Sequence, residues 1–206
     1  MQRPTGAFNF RETFRGLGDM SVLMWYRARP RRLDIVFNAG MSLPTGRTER
    51  PKFRAELEEG SLVPMSRLQR GTGTVDPIFG VNIGRGARHV TLFGSLAART
   101  PIAENRFGLR TGAASELSGG AARELGTHRL VGFARLGWLH RWQDVFRGTP
   151  VLVGGGHWVY LTPGLACQLA AGTTAQVEIK LPLYRNLANT QLDSSAIIQL
   201  GISRAF

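Results

Sequence analysis

Apolar and polar residues alternate with period two along most of this chain. Successive side chains of a strand point to opposite faces, so each alternating stretch predicts a two-faced strand. Residues 33–43 are the clearest case. Leu33, Ile35, Phe37, Ala39, Met41 and Leu43 hold one phase, and Asp34, Val36, Asn38, Gly40 and Ser42 the other. Residues 19–28 place Met20, Val22, Met24 and Tyr26 together. Residues 75–83 set Val75, Pro77, Phe79, Val81 and Ile83 against Asp76, Ile78, Gly80 and Asn82. Residues 89–98 align Val90, Leu92, Leu96 and Ala98, and residues 107–122 form a weaker stretch of small side chains. In residues 129–142, Leu130, Ala134, Leu136 and Trp138 oppose Arg129, Arg135 and Arg141.

Residues 151–169 keep one phase through Val151, Val153, Val159, Leu161, Leu165, Cys167 and Leu169. Pro163-Gly164 could split this segment at a turn. Because the phase survives the proline, one strand with a local bulge is the better reading. Residues 175–183 set Val177, Ile179, Leu181 and Leu183 against Gln176, Glu178 and Lys180. The last stretch, residues 196–206, carries Ala196, Ile198, Leu200, Ile202 and Phe206 on one face, interrupted by Arg204. Nine strands are predicted.

The connections alternate in length. Short turns fall at residues 29–32, 84–88, 123–127 and 171–174, and longer ones at 44–73, 99–106, 143–150 and 185–194. Short and long connections in alternation suit an up-and-down barrel with small turns at one rim and large loops at the other. A final strand with one greasy face and no covering helix is a liability in water. It makes sense where lipid covers that face and closure pairs the edge. The fold class read here is all-β, an antiparallel up-and-down transmembrane β-barrel with about nine visible strands. Bacterial single-chain barrels have even strand numbers. The expectation is therefore a single barrel domain over residues 1–206, lacking an amino-terminal part, with ten or twelve strands in the complete protein.

Composition fits this frame. Apolar residues make up 43% and glycines number 26, while helical periodicity is nearly absent. No apolar run is long enough for a transmembrane helix, which says nothing against strands that cross by alternation. The net charge is +12. Only Lys52 and Lys180 of the 26 basic residues are lysine, so the other 24 are arginine. They sit singly or in small groups near turns and strand ends, unlike the basic stripe of a nucleic-acid binder. No nucleic-acid partner is read. Cys167 is alone, so no intrachain disulfide forms. The histidines His89, His128, His140 and His157 lack metal-ligand spacing. No metal or cofactor is expected. Met1 is not followed by an apolar stretch, so no signal peptide is read, although an outer-membrane protein requires one.

Short motifs then point to a family. Gly16-Leu17-Gly18-Asp19, Leu43-Pro44-Thr45-Gly46-Arg47, Gly71-Thr72-Gly73-Thr74-Val75-Asp76-Pro77, Tyr160-Leu161-Thr162-Pro163-Gly164-Leu165, Leu181-Pro182-Leu183-Tyr184-Arg185 with Gln191-Leu192, and the closing Leu200-Gly201-Ile202-Ser203-Arg204-Ala205-Phe206 occur in order. The chain resembles bacterial outer-membrane barrel proteins described as transporters or as MetA-type barrels of phenol-degradation pathways. The resemblance implies a bacterial outer-membrane location and a barrel architecture. It carries little chemistry, because the family's transported molecule is poorly defined. It further implies that barrel assembly machinery reads the terminal strand and Phe206, and that outer-membrane lipids surround the apolar face.

Function in such a barrel resides on the lumen side. The lumen candidates are Asp34, Asn38, Asp76, Asn82, Arg110, Glu116, Arg129, Arg135, Glu178, Lys180 and Gln199. They would form a polar path or solute site, or an ion-pair network filling a small interior. Trp138, Trp142, Trp158 and Tyr160 would bind an aromatic solute or form the interfacial girdle. Gly154-Gly155-Gly156 lacks the Lys-Ser/Thr of a phosphate loop, and no G-x-S-x-G motif is present, so no enzyme is read. The outer loop 44–73 would serve as a lid or constriction. The leading expectation is a barrel that passes or binds a small solute, aromatic or anionic in character. The competing readings are a non-transporting structural or assembly barrel, and a soluble basic β-protein binding anionic polymers.

Overall fold

The computed structural model describes residues 17–48, 71–126, 129–150, 155–170, 172–187 and 195–204. These form β1 (Met20–Ala28), β2 (Asp34–Leu43), β3 (Asp76–Ala87), β4 (Val90–Arg99), β5 (Leu109–Arg110), β6 (Ala114–Glu124), β7 (Leu130–Arg141), β8 (Val145–Phe146), β9 (Thr149–Pro150), β10 (Gly156–Ala170), β11 (Thr173–Leu187) and β12 (Ile197–Arg204). No helix occurs among the described residues.

Nine strands make one antiparallel sheet in the order β1-β2-β3-β4-β6-β7-β10-β11-β12. Each strand pairs with its sequence neighbour in the sheet, which is the meander expected from the alternation. β1 and β12 stand at the two ends of this order. The short connections β1–β2, β3–β4, β6–β7 and β10–β11 all fall at one rim, and the long ones at the other. The two-residue β3–β4 turn uses Arg88 in the left-handed region, with φ of 51°.

β10 runs unbroken through Pro163 and Gly164. Its irregularities against β11 lie elsewhere, between Val159 and Tyr160 and between Gln168 and Ala170. Pro163 sits opposite Ala134 of β7. The opening of the predicted segment, residues 151–154, lies outside the described residues.

The sheet has two unlike faces. Phe37, Phe79, Leu96, Leu117, Leu136, Leu165, Ile179, Leu181, Ile198, Leu200 and Ile202 are all exposed on one of them. Leu33 is exposed on the same side, and Ile35 and Val81 are half-buried. Apart from Leu117, these residues belong to the apolar phases read from the sequence, and among the described residues no helix packs on them. Buried residues instead concentrate on the opposite face and at the loop rim: Ser42, Asp76, Ser118, Trp158, Tyr160 and Thr162.

The two connections that flank β6 and β7 at the loop rim are joined. β5 pairs with β8 and β8 with β9, so these loops build a small three-stranded sheet of their own. Arg147 and Gly148 both take positive φ, 49° and 76°, as a two-residue hairpin between twisted strands requires.

Candidate functional site

The pairing register stacks the inner-face residues in rows across the sheet. One row runs Asp34, Gly84, Phe93, Gly120, Arg135 and Thr162, from β2 to β10. Directly opposed residues share a face, so Asp34 and Arg135 look into the same space although four strands separate them in sequence. Glycines on either side of Phe93 leave room. A cavity of about 240 Å³ opens here, lined by Asp34, Asn82 and Arg135 together with Ser95 and Ser118. The two serine hydroxyls meet at 2.7 Å. Three of the predicted lumen residues are therefore gathered at one place.

Charges on this face are paired rather than free. Asp34 accepts from Arg27 Nε at 2.6 Å and from the same guanidinium's Nη2, with Arg29 Nε 3.8 Å away. Arg135 Nη2 lies 3.4 Å from both carboxylate oxygens of Glu178. Lys180 Nζ lies 3.7 Å from Glu116 Oε1 and 4.3 Å from the centre of the Tyr160 ring. The ring's negative face attracts the ammonium, as an ion over an aromatic does. Trp158, Tyr160 and Thr162 of β10 are buried beneath these side chains. The inner face of β6, β7, β10 and β11 is thus filled by an ion-pair layer on an aromatic floor. The indole Nε1 of Trp158 is buried with no acceptor among the described residues.

The remaining candidates fall in other places. Asn38 lies against Gly80, where a methyl group on the glycine would collide with its amide. Gln199 is exposed opposite Glu178. Asp76 is fully buried and bound by Arg99 Nε at 2.8 Å, so it holds the start of β3 rather than facing a path. Arg110 is on β5 in the small loop sheet, not on a long strand. The cause is a turn at Asn105, whose Oδ1 accepts from the amides of Phe107 and Leu109 at 3.0 and 3.1 Å, and at Gly108, with φ of 79°. That turn delays β6 to Ala114. Arg129 precedes β7 and belongs to the short turn, exposed. Phe206, and residues 49–70 of the predicted outer loop, lie outside the described residues.

The four aromatic candidates separate into two groups. Trp158 and Tyr160 face inward. Trp138 faces outward and stacks on His140 and His157 at 6.0 and 6.1 Å, with Trp142 edge-on to His140 at 4.2 Å. This ladder sits at the loop rim beside a second cavity of about 710 Å³, lined by Arg110, Arg141, Trp142, His140 and His157 among others. Asp144, buried, accepts from the Gly112 amide at 2.7 Å and so ties one loop to the other around the cavity. Sequence reading missed this mouth, because it is assembled from two loops whose pairing leaves no periodic signal.

Three of the ordered motifs meet in space at the same rim. Asp19 accepts from the Gly46 amide at 2.9 Å, the Thr72 amide at 2.7 Å and the Thr72 hydroxyl at 2.9 Å. Thr45 Oγ1 accepts from the Met20 amide at 2.8 Å. Gly71 packs so tightly between Asp19 and Gly46 that a methyl group there would lie 2.6 Å from both. The Gly-Asp, Pro-Thr-Gly and Gly-Thr-Gly-Thr motifs therefore form one knot that joins the two ends of the connection between β2 and β3.

No protein-family model matches the sequence, and no curated protein matches it. Among solved structures, the fold matches the crystal structure of an outer-membrane channel from Pseudomonas putida F1, with a TM-score of 0.67 at 10% sequence identity. The match covers 90% of this chain and 64% of that one, so this chain spans about two thirds of the channel's length. The likeness is one of fold: an all-β, multi-stranded antiparallel architecture shared with an outer-membrane channel.

Proposed function

We propose that the chain belongs to a bacterial outer-membrane β-barrel that passes a small solute, aromatic or anionic in character, through its polar interior. The observation that carries this is the two-faced sheet. Its strands keep an uncovered apolar phase on one side, while the other side holds polar rows and a cavity lined by Asp34, Asn82 and Arg135. An apolar face of this extent supports lipid as its solvent over water. Eight of the nine strands in the sheet have nine to fifteen residues, long enough to cross a bilayer when tilted. The likeness to the Pseudomonas channel supports the same reading. In this proposal an odd number of further strands joins β1 to β12 and closes the barrel with ten or twelve, residues 44–73 form an outer loop, and the assembly machinery reads the strand ending at Phe206. No catalytic step is assigned.

A solute enters at the mouth, where Arg110 and Arg141 supply positive charge and Trp142 an aromatic surface. It then meets Arg135. Full-length protein in planar bilayers tests this. Ohmic conductance that favours anions, and loses that preference in Arg135→Glu, is the expected result. A second reading, a barrel without transport, draws on the Arg135–Glu178 and Lys180–Glu116 pairs, which cancel charge and fill the interior. Absence of both conductance and solute uptake into liposomes would favour that reading.

A further inference from the structure

Two imidazoles at the mouth have no part in the channel reading. His140 of β7 and His157 of β10 are direct cross-strand partners. Their rings lie 26° from parallel with centroids 4.3 Å apart, and their Nδ1 atoms approach to 3.1 Å. Neither ring has another hydrogen-bond partner among the described residues. Their orientation is set by packing between Trp138 and Trp142. Unbridged, two neutral Nδ1 lone pairs at this distance repel unless one nitrogen carries the proton.

We propose that His140 and His157 form a two-imidazole chelate for a first-row transition-metal dication, copper(II) above the others. Metal–imidazole bonds of about 2.0–2.1 Å across the observed 3.1 Å separation give an N–metal–N angle of about 95–102°. This lies between the square-planar and tetrahedral values, and imidazole suits copper, nickel and zinc, with copper bound most tightly. Among the described residues no third histidine, cysteine or carboxylate joins the pair. Both histidines line the 710 Å³ cavity. None of the described residues lining that cavity is a carboxylate, and Arg110 and Arg141 are among them. The ligand class is a transition-metal dication held by two imidazole nitrogens, its other positions left to water or oxygen donors.

The test uses the full chain, untagged and folded in detergent, titrated with copper(II) acetate. One equivalent should bind with a paramagnetic resonance spectrum showing two equatorial nitrogens, and the pattern should change when histidine is labelled with nitrogen-15. Because even groups that only orient a metal ligand contribute about 10–100-fold to affinity, His140→Ala and His157→Ala should each weaken binding by about 100-fold or more. His89→Ala, in the exposed β3–β4 turn, should leave binding unchanged. Should an alanine variant not fold, the nitrogen count of the labelled wild-type protein decides alone. Absence of stoichiometric binding, a one-nitrogen spectrum, or unchanged affinity in both folded variants would overturn the proposal. Binding is read without conductance, so either proposal can fail while the other stands.

Discussion

Arg135 on β7 reaches across β10 to Glu178 on β11, its Nη2 3.4 Å from each carboxylate oxygen. Thr162, directly opposite Arg135 in the register, is buried in between. The pair therefore clamps three strands, not two. Both side chains are mostly shielded, at 30% and 12% exposure, so the interaction is less screened than a surface pair.

Removing the charge of one partner should cost stability. Glu178→Gln leaves a guanidinium without its counter-charge, and about 1–3 kcal/mol is the expected loss. The double exchange Arg135→Glu with Glu178→Arg should recover part of it. Denaturant unfolding of the protein in detergent micelles measures both. If the double exchange is as unstable as the sum of its single reversals, the two groups do not act as a pair.

Neighbouring positions on β4 separate the two faces. Leu96 is 52% exposed in the apolar phase, and Ala97 faces the polar side opposite Glu116. In a bilayer, Leu96→Arg should cost about 2–4 kcal/mol, the penalty for a cation on the lipid side near the midplane. Ala97→Arg should cost much less, since it enters the polar interior beside a carboxylate. Folding titrations in lipid vesicles compare them. Equal penalties would contradict the assignment of lipid and lumen faces.

Gly164 lies beneath the ring of Phe133, its cross-strand partner. A methyl group on Gly164 would stand 2.6 Å from Cε2 and 2.8 Å from Cε1 of that ring. Gly164→Ala should therefore destabilise by about 1–3 kcal/mol through overpacking. In a Phe133→Leu background the same change should cost less. A double-mutant cycle by thermal unfolding gives the coupling, and a coupling of zero would show that the ring is not what requires the glycine.

The strands were readable because apolar and polar positions alternate along them. In residues 33–43 that period alone places Phe37 on one face and Asn38 on the other, and the structure keeps both. Turn lengths revealed the two rims for the same reason: short turns need only reverse the chain. What stayed hidden depends on register and on bonds between side chains and backbone. His140 and His157 fall on adjacent strands, yet only the pairing sets them opposite one another. A strand pattern has soft ends, so it does not show that Arg110 lies on β5 beyond the Asn105 turn or that Arg129 lies in the short β6–β7 turn. The motifs carried the resemblance without showing what three of them do together, which is to converge on Asp19.

That convergence yields the last prediction. Asp19 receives three hydrogen bonds from Gly46 and Thr72, which stand at the two ends of the long loop between β2 and β3. All three reach a carboxylate, and bonds to a charged acceptor are stronger than neutral ones. Asp19→Ala removes them together and leaves two backbone amides to find water. The strands themselves do not depend on this knot, since β2 and β3 pair through nine residues from Asp34 to Ser42. The expected result is therefore local. The variant should fold to the same heat-modifiable species on electrophoresis, while limited proteolysis should cut within residues 44–75 at least several-fold faster than in the wild type. Asp19→Asn, which keeps an acceptor oxygen but not the charge, should fall between the two. Loss of the folded species in Asp19→Ala would instead assign the knot to assembly of the sheet. Unchanged proteolysis would show that the loop is held without Asp19.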